Sequence, residues 1–252
     1  MPALASSQLP RRRYSLGLGL SWEVLRYFKY WIIAVLILSF LGPLALSRYT
    51  DIDLSAWFYT ANVAKWFSAF VGGGFVYVLV PSLIAAGVTR RELAVSLGVF
   101  GTVWSAGIGA AAIGGLLTER FYYGAMGWTQ AVELNEATAP IGTWGETLGF
   151  AAVYPLLYLA YFTAGTVIGV ASYRWDGTGW LLVVPILPVL FSLDNALYNT
   201  KPFGPGWLGF LGRFVDEAGR GLVLAAIVLV IAALAASAYR ILIDIPLRSK
   251  KA

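Results

Sequence analysis

Six long stretches without a single Asp, Glu, Lys or Arg set the strongest limit on how this chain can fold. They cover residues 30–47, 66–89, 93–118, 147–173, 177–193 and 221–239. A bilayer hydrocarbon core of about 30 Å needs about 20 helical residues, within a range of roughly 17–25. Transmembrane β-barrels show shorter segments of alternating polarity instead.

The sequence therefore predicts an all-α polytopic membrane protein with six transmembrane helices. The predicted spans are about 31–47, 66–88, 93–118, 147–172, 177–193 and 221–239, within a single transmembrane domain over 1–252. The fifth span contains Pro185 and Pro188, which predict a kink or partial unwinding.

Composition narrows the chemistry that the chain can perform. Charged residues make up 12% of it, against about 25% in a soluble domain. Cys and His are both absent, which excludes thiolate and imidazole metal sites and Ser-His-Asp triads. No glycine precedes a lysine, so a P-loop is also excluded. We expect no catalytic residues, no metal and no cofactor in this chain.

Basic residues predict the orientation in the membrane. With the N-terminus in the cytoplasm, 12 of the 18 basic residues and four of the 13 acidic residues fall on the inner side. The inner side then carries a net charge of +8 and the outer side −3. This asymmetry is typical of inner-membrane topology. It predicts a multi-pass cell-membrane protein with both termini cytoplasmic, and it disfavours nucleic acid as a partner.

The N-terminal region precedes the first predicted span. Residues 1–20 are predicted to be a flexible cytoplasmic tail, and residues 21–30 to be an interfacial helix capped by Ser21. In that helix Glu23, Arg26 and Lys29 form a narrow polar stripe beside aromatic residues such as Trp22. Two alternatives remain open: the stretch begins the first span, or it belongs to a cleaved signal peptide with an unusually long basic region.

Two segments on the predicted outer side are longer than simple connections. Residues 119–146 contain several tryptophans and acids, and residues 194–220 mix charges with apolar patches. The second is predicted to be a re-entrant segment before the last span. The acid pairs Glu133–Glu136 and Asp216–Glu217 are interpreted as solvated loop charges.

Small residues at four-residue spacing predict close helix packing. The predicted packing positions are Gly98, Ala106 and Gly114 in the third span and Gly165 and Gly169 in the fourth. No charge lies near the middle of any predicted span, which weakens the hypothesis of an ion-coupled carrier.

The stretch "AAGVTRREL", residues 85–93, lies between the second and third predicted spans. It resembles the G-x-[ST]-R-[RK]-[ED] turn of ABC-2 type ABC transporter permeases, the membrane-spanning subunits of bacterial ABC exporters. The predicted layout of the whole chain is also similar to that family, except that segment 119–146 is longer than expected.

The resemblance implies a permease subunit of an ATP-driven exporter. It would pair with a second permease, as a homodimer or a heterodimer, and with an ABC ATPase subunit that binds ATP and Mg²⁺. The implied ATPase-coupling turn consists of Gly87, Thr89, Arg90, Arg91 and Glu92. A second implied contact is the interfacial helix with Trp22, Glu23 and Arg26.

Two other hypotheses stay open. The chain could be a non-transporting membrane protein that binds partners, as immunity and assembly proteins do, or an ion-coupled carrier. The residues alone leave the substrate undetermined.

Overall fold

The computed structural model describes residues 9–134, 137–198 and 219–245. Within them, six helices are long and apolar enough to cross a membrane, so the chain is a multi-pass membrane protein. The elements in chain order are α1 (Leu9–Leu46), α2 (Ala56–Phe70), a π-helical turn (Val71–Phe75), α3 (Val76–Ala85), α4 (Arg90–Met126), β1 (Ala131–Leu134), β2 (Ala137–Pro140), α5 (Trp144–Ala151), α6 (Tyr154–Arg174), a 3₁₀ turn (Thr178–Leu182), α7 (Val183–Leu197) and α8 (Arg220–Ile243).

Helix α6 lies at the centre of the bundle. It contacts α2, α4 and α8, and most of its residues are buried. A helix that is apolar all round is the kind that packs inside a bundle. Helices α1 and α8 lie at the periphery, and few of their residues are buried, as expected of helices that face lipid.

Glycines let α6 approach the second span closely. An added Cβ at Gly165 would overlap the carbonyl oxygen of Ala69, and one at Gly169 would overlap the carbonyl oxygen of Gly73. Gly73 belongs to the π-helical turn, and its own added Cβ would lie 3.0 Å from the carbonyl oxygen of Gly165. The G-x-x-x-G of α6 therefore packs backbone to backbone against the π-helical turn, as small-residue spacing allows.

The row predicted to pack in α4 faces outward instead. Gly98, Ala106 and Gly114 are exposed, and an added Cβ at either glycine would meet nothing within 4 Å in the described chain. The neighbouring row makes the contact, since Gly101 lies against the Phe162 ring and Gly109 against Pro155. Phe162 and Pro155 of α6 leave room only for glycine opposite them, so the row of Gly101 and Gly109 packs against α6.

Helix α1 is continuous, and this corrects two predictions. Residues 9–20 are helical rather than a flexible tail, and residues 21–30 are not a separate helix. The Ser21 hydroxyl donates to the carbonyl of Gly17 one turn earlier, so it lies inside the helix rather than at its cap. No proline interrupts the chain between Pro10 and Pro43, and nothing else forces a break.

The spans also run past the charged residues that the sequence predicts as their ends. The second span begins at Ala56 and contains Lys65, the third continues to Met126 and contains Glu119, and the fifth continues to Leu197 and contains Asp194. A charge inside a span is compatible with a helix when the bundle supplies a partner for it.

The segments between spans show one departure from an all-α chain. Strands β1 and β2 pair antiparallel, with Ala131 opposite Pro140 and Leu134 opposite Ala137. Most of the predicted re-entrant segment, residues 199–218, lies outside the described residues.

Replacing Gly165 with alanine should destabilise the bundle, because the added Cβ would overlap the backbone of α2. Overpacking of this kind costs about 1–3 kcal/mol, which for a chain of this size lowers the unfolding midpoint by on the order of 5 °C. Gly98→Ala is the matched control, since its Cβ meets open space. Thermal unfolding in detergent checks both, and equal midpoints for the two variants would contradict the packing.

Candidate functional site

The turn between α3 and α4 has two well-defined halves, and the first is the end of α3. Gly87 has a φ of 80°, the left-handed conformation that favours glycine. The Val88 N–H donates to the carbonyl of Leu83 at 3.0 Å, and the Gly87 N–H donates to that of Ile84 at 3.0 Å. Val88 is buried, so this half of the turn is anchored in the core.

The second half is the start of α4, closed by a capping box. The Glu92 N–H donates to the Thr89 hydroxyl at 3.3 Å, and the Thr89 N–H donates to the Glu92 carboxylate at 2.9 Å. The pattern satisfies two backbone donors that the first turn of a helix leaves free. Thr89 and Glu92 therefore have a structural role within the chain.

The two arginines of the turn differ in their surroundings. The Arg90 guanidinium donates to the carbonyl of Ile243 at 2.7 Å, so it caps the last turn of α8. Arg91 is exposed and makes no hydrogen bond or ion pair with the described residues. Among the five predicted residues of the turn, Arg91 is the one whose charge is available to a partner.

The predicted contact residues of α1 lie on its exposed side. Trp22, Glu23 and Arg26 are all exposed. The opposite face of α1 packs against α4, where the Ser96 hydroxyl donates to the carbonyl of Arg13 at 2.7 Å. This contact holds the beginning of α1 alongside the first turns of α4, close along the chain to the 87–92 turn.

A buried ion pair between two spans is the feature that the sequence did not predict. The Lys65 ammonium of α2 contacts the Asp194 carboxylate of α7, and the two residues are only 4% and 7% exposed. The prediction that the second span begins after Lys65 and the fifth ends before Asp194 is therefore wrong. It failed because charged residues were used to mark the ends of spans, and that rule cannot find two opposite charges that neutralise each other across helices.

Four tyrosines lie close enough to Asp194 to interact with its charge. They are Tyr154, Tyr158, Tyr161 and Tyr198. The first three share one face of α6, since they are spaced by four and three residues. The Tyr158 hydroxyl donates to the carbonyl of Ala61 at 3.1 Å, which ties α6 to α2 beside the ion pair.

Polar atoms with few partners lie at this ion pair. Oδ1 of Asp194 has no hydrogen bond to any residue that the structure describes. The hydroxyl groups of Tyr154 and Tyr198 have only each other as described hydrogen-bond partners. Buried polar atoms in folded proteins are hydrogen-bonded in the great majority of cases. Such a cluster inside the spans is a candidate binding site.

A second buried carboxylate has a different role. Glu119 of α4 accepts hydrogen bonds from the backbone N–H of Trp57 at 3.0 Å and from the Gln130 side chain at 3.0 Å. It also accepts one from the hydroxyl of Ser55, the N-cap residue of α2. A carboxylate is favourable at a helix N-terminus, where free N–H groups point outward. Glu119 therefore fixes the start of the second span.

No group of three or more Asp or Glu side chains that could hold a metal ion occurs in the described part of the chain. The two sites also lie apart along the second span, because Lys65 precedes the turn by about 20 helical residues, or about 30 Å.

The ion pair should tolerate removal of both charges better than removal of one. Lys65→Met or Asp194→Leu alone leaves an unpaired charge among apolar helices, which costs about 3–5 kcal/mol, whereas an apolar pair is close to neutral. The double variant should therefore recover the yield of monodisperse protein that each single variant loses. Fluorescence-detected size-exclusion chromatography measures this, and a double variant as poor as the singles would contradict the pairing.

Comparison with known proteins adds no relative to this description. No family model, curated protein or solved structure matches the chain.

Proposed function

We propose that this chain is the membrane-spanning subunit of an ATP-driven exporter of the ABC-2 type. It forms the translocation pathway as a dimer, and a separate ABC ATPase subunit docks on its cytoplasmic face. The observation that carries the proposal is the 87–92 turn. Hydrogen bonds fix both of its halves, Arg90 links it to the end of α8, and Arg91 is exposed.

Rigidity is what a coupling element needs. Closure of an ATPase dimer can move a span only if the contacted turn does not deform. The left-handed Gly87 and the Thr89–Glu92 capping box fix both sides of this turn. The two helices that it joins cannot move independently at that point.

The Arg90 contact extends the turn to a third helix. Its hydrogen bond to the Ile243 carbonyl links the start of α4 to the end of α8. A force applied at the turn would therefore act on α3, α4 and α8 together. Arg91 supplies the charge that docks, since an exposed guanidinium can pair bidentately with a carboxylate on the ATPase.

An ion-coupled carrier is the second candidate, and the Lys65–Asp194 pair favours it. Ionisable residues inside spans often mark proton or substrate pathways. A carrier of this kind would need no ATPase, so the same experiment separates the two proposals.

Arg91→Glu should abolish binding of the ATPase subunit. The tagged chain is purified in detergent from its native membranes, and co-purifying protein is tested for ATP hydrolysis and for labelling by a photoreactive ATP analogue. Reversal of an exposed charge replaces an attraction at the interface with a repulsion, so wild type should retain the labelled protein and Arg91→Glu should lose it.

Arg48→Glu is the matched control, because Arg48 is also exposed but lies in the loop between the first and second spans. It should retain the ATPase. A wild-type chain that brings down no ATP-binding protein would contradict the exporter proposal and favour the carrier.

A further inference from the structure

We propose that Asp194 binds the ammonium group of a cationic substrate, and that this binding releases a proton from Lys65. The inference rests on the proposed transport function, because it names the class of molecule that is moved. Its site is the buried ion pair, together with the tyrosine hydroxyls around it.

The chain already holds one alkylammonium at this place. The Lys65 side chain ends in an ammonium that contacts Oδ2 of Asp194, in surroundings rich in aromatic rings. The Trp66 ring packs edge-on against Tyr161 with centroids 5.7 Å apart. Carboxylates attract cationic groups through charge-assisted hydrogen bonds, and aromatic rings also attract organic cations in proteins. Lys65 therefore occupies a site whose chemistry suits an external amine equally well.

The oxygens around the ion pair match the donors of a second ammonium. Oδ1 of Asp194 has no hydrogen bond in the described chain, and the hydroxyl groups of Tyr154 and Tyr198 have only each other as described partners, which leaves lone pairs on their oxygens. A primary ammonium carries three N–H donors and no acceptor. Each of these oxygens can accept one of them, so a bound amine would satisfy the cluster.

The charge of the site explains why binding of a cation is accompanied by loss of a proton. The Lys65–Asp194 pair is neutral as a unit, and a second cation would leave an uncompensated positive charge in a low-dielectric interior. A like charge this close disfavours the protonated form of a lysine. Lys65 therefore passes its proton to solvent as the substrate ammonium pairs with Asp194. One cation enters the site and one proton leaves it.

No other described group that faces the site can supply this proton at neutral pH. The groups that interact with Asp194 are Lys65 and the four tyrosines, and Arg220 acts on Tyr198. Proton loss from a tyrosine would create a buried anion, which desolvation opposes, whereas proton loss from Lys65 removes a buried positive charge. Arginine stays charged. The released proton is therefore assigned to Lys65.

Titration calorimetry on the full chain in nanodiscs tests the exchange, with 2-phenylethylammonium as the probe. Repeating the titration at one pH in buffers of different ionisation enthalpy counts the protons released. Wild type should release about one proton per bound cation. The monodisperse fraction of Lys65→Met that is recovered should bind at least about tenfold more tightly, because an internal competitor is gone, and should release none. Asp194→Asn should lose binding by at least about tenfold.

Matched variants separate these effects from general ones. Lys29→Met and Asp51→Asn remove an exposed lysine and an exposed aspartate elsewhere, and both should behave as wild type. The neutral isostere 2-phenylethanol should bind wild type and Asp194→Asn with the same affinity, because it carries no charge for Asp194 to attract. If Asp194→Asn fails to fold, Lys65→Met/Asp194→Asn carries the same expected loss of binding without an unpaired charge.

Two results would overturn the inference: cation binding that Asp194→Asn leaves unchanged, or binding to wild type without proton release. The assay contains no ATPase, so its outcome is independent of the pull-down. Amine binding without an ATPase would keep Asp194 as the site and remove only the exporter. An ATPase without amine binding would keep the exporter and remove the site.

Discussion

The backbone contact between α6 and the second span is the interaction on which the rest of the bundle depends. Lipid tails are as apolar as leucine side chains, so helices in a bilayer gain little from apolar burial and must associate through close packing. Gly165 and Gly169 allow that packing against the π-helical turn Val71–Phe75. Because α6 then lies at the centre, it brings its tyrosine face to the position where Lys65 of α2 meets Asp194 of α7.

The buried charged side chains of the described residues each have a specific partner. Lys65 pairs with Asp194 across two spans, and Glu119 accepts three hydrogen bonds at the start of α2. The two arrangements differ in how many of their polar atoms lack a hydrogen-bond partner. Both oxygens of the Glu119 carboxylate accept hydrogen bonds. In the Lys65–Asp194 pair, Oδ1 of Asp194 has no partner in the described chain. That difference is why binding is inferred at Asp194 and not at Glu119.

The sequence predicted the number of spans well, since six apolar runs become six helices. It predicted their ends poorly, because a charged residue was assumed to lie outside the hydrocarbon. Lys65 and Asp194 are 129 positions apart in the chain, and no local pattern connects them. Helical periodicity also could not decide between the rows of Gly98 and Gly101, because both have small residues at the required spacing. The choice depends on Phe162 and Pro155, which belong to another helix.

Four of the five predicted residues of the 87–92 turn have structural roles within the chain, so the hypothesis of ATPase coupling rests on the fifth. Gly87 provides the left-handed end of α3, Thr89 and Glu92 cap α4, and Arg90 caps α8. Any tight connection between two spans could favour such residues for geometry alone, so the specific content of the resemblance rests on Arg91.

The same helices also connect the two proposed sites. The turn ends a helical rod, Ala56–Ala85, that carries Lys65 nearer its other end. Between them lies the π-helical turn, a kind of helical defect frequent at functional sites. A displacement of the turn therefore acts on the ion pair through one continuous helix, and the contact of α6 with the π-helical turn is the point about which that helix is held.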